Sequence, residues 1–230
     1  MAEIMINKLG PIEHCELSID EFMVFTGPQS SGKSTIAKIL AEKLNLTFLN
    51  SGGFYRTLTL AILDNKIDFR NENLTLDFCK KQKIEYTNEG NFILNGKDVT
   101  AHLHDDRVTA NTSQVSSLIS IRHYVNDLMR EITKSMSIVC EGRDMTTVVF
   151  PNAEYKIYLD ASSQVRAQRR FDQGVSNLSL EEIKKSIEER DEMDKNKKEG
   201  ALKIAPDALY IDTSTLTIDK VCEIILKQIS

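Results

Sequence analysis

Short apolar runs alternate with amphipathic stretches along most of the chain. Phe22 to Thr26, Leu46 to Leu49, Ser137 to Cys140, Tyr155 to Leu159 and Ala208 to Ile211 are too short for core helices and rich in β-formers, so each predicts a buried strand. Between them apolar residues recur at helical spacing. Ile36, Ile39 and Leu40 mark a helix over 35–44. Others are predicted over 54–63, 161–171 and 218–229. A further helical stretch runs, with one break, from near Arg107 to Lys134, where Ile121, Val125, Leu128, Met129 and Ile132 share a face. Ser179-Leu180-Glu181-Glu182 is a capping box, opening a charged helix that ends near Asp194. Strands alternating with helices predict an α/β fold with a mainly parallel sheet covered on both faces.

Two stretches break this rhythm. Ile4 to Ile6 and Ile12 to Ile19, around Gly10-Pro11, predict a leading β-hairpin. Residues 64–105 turn polar and rich in Asn. Within them 83–87, 91–94 and 97–99 read as three short strands joined by Asn88-Glu89-Gly90 and the hairpin signal Asn95-Gly96. The expected organisation is a core of residues 1–63, 106–160 and 201–230, a small antiparallel insertion at 64–105, and a helical lid at 161–200.

Composition narrows the function classes. With 230 residues, 41% hydrophobic and 27% charged, the chain is long enough and apolar enough to bury a core. A net charge of −5 argues against a general nucleic-acid or anionic-membrane binder. No apolar run approaches a membrane span, and the N-terminus lacks the pattern of a signal peptide, so a cytoplasmic location is expected. The four cysteines (Cys15, Cys79, Cys140, Cys222) form no C-x-x-C pair and read as reduced thiols. His102 and His104, beside Asp105 and Asp106, read as a solvated loop rather than a metal site.

Gly27-Pro28-Gln29-Ser30-Ser31-Gly32-Lys33-Ser34, followed by Thr35, fits G-x-x-x-x-G-K-[ST] at every fixed position and sits between a predicted strand and helix. The glycines let backbone N–H groups converge, and the helix aims its positive end at the same spot. Lys33 can reach β- and γ-phosphate oxygens, and the Ser34 hydroxyl can ligate Mg²⁺. Polar turns follow other strands at Asn50 to Arg56 and Glu141 to Asp144, the end of a parallel sheet where ligands bind. Arg143, Arg166, Arg169, Arg170 and Arg190 concentrate cations in the second half, which suits a small polyanion. Phe54 and Tyr55 read as core.

Together these residues resemble the bacterial cytidylate kinases of the nucleoside-monophosphate kinase group. The resemblance rests on Leu49 to Arg56, Asn111 to Val115, Glu141 to Pro151, Glu189 to Asp194 and Asp207 to Ser214, in order along the chain. It implies a three-layer phosphate-loop kinase fold and transfer of the ATP γ-phosphate to CMP or dCMP, with Mg²⁺ and a monomeric chain. By position, Ser51 resembles a ribose or phosphate contact and Arg56 a clamp on the monophosphate. Ser113 and Arg122 resemble cytosine contacts, Arg143 a phosphate-binding arginine and Asp144 a reader of the base. Arg170 and Arg190 resemble lid arginines on the phosphates and Asp194 the pentose contact. Some residues depart from the pattern: Asn50 stands for the usual Asp, Lys197 for a cytosine- or lid-contacting Arg, Ala201 for a Pro, and Gln29 for a small loop residue. The opening Ile6 to Glu13 resembles the leading hairpin of ABC-type ATPases. An ATP-driven regulator, or a weakly catalytic nucleotide sensor on the kinase scaffold, therefore stands as the alternative. Arg190 and Asp194, at i and i+4, could also simply pair on their own helix, and Asp144 could simply cap a helix.

Overall fold

The computed structural model describes residues 3–9, 12–18, 23–134, 136–174 and 178–229. In chain order the elements are β1 (Glu3–Leu9), β2 (Ile12–Ser18), β3 (Met23–Thr26), α1 (Lys33–Lys43), β4 (Thr47–Asn50), α2 (Ser51–Asp64), α3 (Glu72–Cys79), β5 (Ile84–Tyr86), β6 (Phe92–Leu94), β7 (Lys97–Asp98), α4 (Asp106–Val115), α5 (Ile119–Thr133), β8 (Ile138–Gly142), β9 (Tyr155–Asp160), α6 (Ser163–Asp172), α7 (Leu180–Lys195), β10 (Leu209–Asp212) and α8 (Ile218–Ile229). The chain divides into two compact units, residues 1–48 with 137–230, and residues 49–136.

The first unit carries all of the five-stranded sheet but the last two residues of β4. The strand order is β10-β9-β3-β8-β4. Met23 lies opposite Val139 on one side and Tyr155 on the other, both in parallel register, and β10 adds to β9 in parallel. All four residues of β3 are buried, as its unbroken apolar run predicts. Phe25, Val139, Ile157 and Leu159 from the sheet meet Ile36, Leu40 and Leu44 of the α1 segment and Val221, Ile225 and Leu226 of α8. That packing fixes the start of α1 against the sheet. β1 and β2 pair antiparallel, as the hairpin pattern expects; the Gly10-Pro11 turn between them lies outside the described residues.

In the second unit β5, β6 and β7 form the expected antiparallel sheet, Ile84 opposite Leu94 and Ile93 opposite Asp98. Phe54, Tyr86 and Phe92 pack ring against ring, with Phe54 and Phe92 edge to face at 5.0 Å, so Phe54 is core as expected.

Two expectations need correction. The helix expected from Phe54 begins at Ser51, because the Asn50 side chain accepts a hydrogen bond from Gly52 N at 2.8 Å and caps it. Within 64–105, where only strands were expected, α3 forms over Glu72–Cys79. Asn71 caps it by accepting from Leu74 N at 3.1 Å.

Candidate active site

The phosphate-loop segment folds as strand, loop and helix. β3 ends at Thr26, and a Cβ at Gly27 would sit 2.1 Å from the Leu159 carbonyl oxygen, so only glycine lets β9 pass. Gly32 closes the loop in the left-handed region (φ 91°) as the N-cap of α1, and among the described residues no side chain caps that helix. Its first N–H groups are therefore open to an anion. Ser31 is fully buried, and its Oγ has no hydrogen-bond partner among the described residues. Ser30 to Thr35, together with Arg169, Thr213 and Thr217, line a cleft of about 600 Å³. Arg169 donates to the Thr213 hydroxyl (3.0 Å) and carbonyl (2.7 Å) along its wall.

Lys33 lies almost wholly out of solvent. Its Nζ donates to the Pro28 carbonyl at 3.3 Å and sits 3.7 Å from Glu141. Burial, with the Arg143 charge adding to it and Glu141 opposing, lowers its pKa to about 8. Glu141 is the penultimate residue of β8; the sequence placed it in the polar turn after that strand and gave it no role of its own. The available signal was a carboxylate beside an apolar run, a position that calls for a cation next to it.

A second cluster centres on Asp194 of α7, 1% exposed. Arg143 Nε donates to its Oδ2 at 2.9 Å, Lys197 Nζ to its Oδ1 at 2.7 Å, and Arg190 Nε lies 3.5 Å from Oδ2. Arg143 also donates to the Gly27 carbonyl at 3.1 Å. Burial alone would raise the Asp194 carboxyl, but Arg143, Lys197 and Arg190 together pull it below the ordinary aspartate value. The helix-internal Arg190–Asp194 pair is thus present, as one part of a larger cluster. Lys197 meets Asp194 as a point charge, without the fork an arginine would bring. Arg170, half-buried on α6, takes no part in either cluster. Asp144 is buried and precedes a π-helical turn, Met145–Val149; its carbonyl, not its side chain, receives the capping N–H groups of Val148 and Val149. Ser34 is exposed at the first turn of α1.

Among the residues of the second unit, Ser51 opens α2. Arg56 donates from Nη1 to the Leu103 carbonyl and the Thr109 hydroxyl, both at 2.9 Å. Arg122 is buried, donates to the Ser116 carbonyl at 3.2 Å, and its guanidinium stands 5.9 Å from the Tyr55 ring centre. Ser113 is exposed on α4. His102 and His104 are exposed, and His102 Nδ1 lies 3.5 Å from Asp105.

The arrangement can bind a phosphate chain at the start of α1 and neutralise it with Lys33. Comparison with known proteins agrees. A curated relative named cytidylate kinase from Borrelia hermsii is 45% identical over 206 residues, spanning 87% of this chain and 94% of its own. Cytidylate kinase 1 of Borreliella burgdorferi is 42% identical over 207 residues, 88% of this chain and 93% of its own. A solved structure, an uncharacterized protein from Eubacterium ventriosum, is similar in fold at TM-score 0.53 and 12% identity, covering 91% of this chain and 98% of that one. The family profile described as cytidylate kinase matches residues 23–230, the span that holds the phosphate loop, Glu141, Arg143 and the α7 cluster, and the chain belongs to that family.

Proposed function

We propose that the protein transfers the γ-phosphate of ATP to CMP or dCMP, giving the diphosphate. The observation that carries this reading is the uncapped start of α1 under a buried lysine, in a chain of the cytidylate kinase family. Phosphoryl transfer asks little covalent chemistry of a protein; it asks that two anions be held in line and their charge offset. Gly27, Pro28, Gln29, Ser30, Ser31, Gly32, Lys33, Ser34 and Thr35 would hold the ATP phosphates. The Arg169 wall of the cleft suits the nucleoside of the donor. Ser34, an exposed hydroxyl at the lip of the cleft, is the kind of hard oxygen donor that Mg²⁺ takes alongside phosphate oxygens and water. Mg²⁺, when bound, would offset charge on the phosphates.

Arg143, Arg170 and Arg190 supply permanent cations for the transferring phosphate. Ser51 and Arg56 would take the acceptor's phosphate end, Ser113, Arg122 and Asp144 its base, and Asp194 with Lys197 its pentose side. Residues 64–105 would serve as the monophosphate-binding insertion and 161–200 as the lid. A carboxylate beside the cytosine 4-amino group accepts its hydrogen, whereas uracil presents reversed groups there and leaves polar atoms unpaired at about 1–3 kcal/mol each.

ADP formation measured with CMP, dCMP, UMP, AMP or no acceptor tests the reading. CMP or dCMP is expected to be best; turnover without an acceptor would favour the ATP-driven regulator, and nucleotide binding with almost no turnover the weakly catalytic sensor. Asp144→Ala is expected to damage CMP use more than ATP binding. Equal loss on both sides would mean that Asp144 shapes the end of β8 instead. ATP affinity is also expected to depend on pH. Lys33 loses its proton as pH rises through about 8 in the free protein, so calorimetric titration should show weaker ATP binding at pH 9 than at pH 7. Lys33→Ala should flatten that difference.

A further inference from the structure

The phosphate loop contains one strained residue. Ser30, not a glycine, holds φ at 61° in the left-handed region. Such a conformation costs about 1–3 kcal/mol and persists only where the surroundings impose it. The φ of Ser30 depends on how the peptide between Gln29 and Ser30 is turned, and that peptide is gripped from outside the loop. Arg166 of α6 donates from Nη1 to the Gln29 carbonyl at 3.3 Å. The same guanidinium is aimed by three further bonds. Its Nε donates to the Ala161 carbonyl at 2.8 Å, Nη1 to Asp191 Oδ1 at 3.0 Å, and Nη2 to Asp191 Oδ2. Both partners are buried, the Arg166 side chain 5% and the Asp191 side chain 12% exposed.

Stability alone is a poor account of this pair. A buried Arg–Asp pair often gains little over apolar residues of the same volume, because both ions must be desolvated. The two helices already pack through Ala167, Ile183, Ile187 and Leu180. What an apolar pair could not supply is the bond to Gln29. The peptide is trans, so its carbonyl and its N–H point in opposite directions. With the Gln29 carbonyl held on Arg166, the Ser30 N–H is turned away from α6.

We propose that Arg166, aimed by Asp191, is a positioning residue for phosphoryl transfer: it sets the Gln29–Ser30 peptide so that the Ser30 N–H donates to the phosphates of the donor nucleotide. Asp191 and Asp194 lie three residues apart on α7, and Arg143 on Asp194 holds the Gly27 carbonyl as Arg166 on Asp191 holds that of Gln29. One helix face thereby braces the loop at two carbonyls. The inference rests on the loop taking a nucleoside triphosphate. ATP titration of the wild-type protein, run in parallel, separates failure of that reading from failure of this one.

The decisive variant is Arg166→Met/Asp191→Leu, which replaces the ion pair with apolar volume and removes the bond to Gln29. It is expected to melt within a few degrees of wild type, to bind ATP about tenfold more weakly and to turn over at least tenfold more slowly, with KM for CMP within twofold; small misplacements of reacting groups can have effects of this size. Arg166→Lys keeps a cation against Asp191 but cannot fork to both Asp191 and Gln29, and is expected to show the same split by itself should the double variant not fold. ATP affinity and kcat within twofold of wild type, in whichever variant folds, would overturn the proposal. So would a loss shared equally by ATP and CMP, which a general loosening of the helices would produce.

Discussion

Lys33→Ala is expected to lower turnover with ATP and CMP by roughly 10²–10⁴-fold, as for loss of a preorganised charge at a transition state, while leaving the fold intact. The fold expectation follows from the direction of the Lys33 pKa shift. Its pKa falls from 10.5 to about 8 on folding, mainly through burial. Between those values the unfolded chain binds the extra proton, so this group makes the protein more stable as pH rises through that window. At neutral pH the buried ammonium is therefore a net cost to the folded state, and deleting it removes that cost. Glu141 loses its nearest cation, which offsets part of the gain, and the melting temperature should move by only a few degrees. Circular dichroism melts beside a coupled ADP assay check both halves. A turnover retained within threefold would remove Lys33 from the phosphate-handling groups and leave it as the partner of Glu141 alone.

How much of this could be read beforehand differs by element. The loop from Gly27 to Ser34 was legible because its chemistry is local: the left-handed φ of Gly32 and the passage of β9 against Gly27 both demand glycine. The capping box at Ser179 and Glu182 was legible for the same reason, and both of its reciprocal bonds form. The helix over Glu72–Cys79 was not, because only Thr75 and Cys79 of its eight residues are buried and no apolar stripe announces it. Its one local signal was Asn71 followed by Glu72, a cap and an acid at a helix start. Asn50 departs from the family's Asp, yet it still caps α2, since either side chain can accept from the N–H two residues on. The ion pairs were out of reach. Arg166 and Asp191 are 25 residues apart and Arg143 and Asp194 51 apart. No periodicity encodes such pairings; they exist only once the sheet has placed α6, α7 and the β8 end together. The sequence grouped Arg166, Arg169 and Arg170 in one concentration of cations, and only the resemblance picked out Arg170. In the fold they serve three different surroundings: a buried pair, the cleft wall and a half-exposed helix face.

Asp194→Ala should be the most damaging single change outside the loop. Its carboxylate is the common partner of Arg143, Arg190 and Lys197. Removing it leaves three cations without the carboxylate they share. Breaking a buried pair by deleting one partner costs about 3–5 kcal/mol. Here the cations reach solvent in part, at 23%, 38% and 34% side-chain exposure, so the low end, about 3 kcal/mol, is expected. Turnover should fall as well, by roughly 10²-fold, because Arg143 loses the anchor that holds it against the Gly27 carbonyl. Asp194→Asn separates the two effects. It keeps the shape and one acceptor oxygen but not the charge, so it should recover part of the stability and little of the rate. The pH dependence supplies a further check. The carboxyl is held below its ordinary value by its three cations, so its contribution is fully present above the unfolded aspartate range and is lost as pH falls through the lower folded value. The stability gap between wild type and Asp194→Asn should therefore be constant from pH 6 to 8 and close on acidification. A gap that stays open in acid would mean that shape, not charge, is what Asp194 contributes, and Arg143 would then need another explanation for its place beside the phosphate loop.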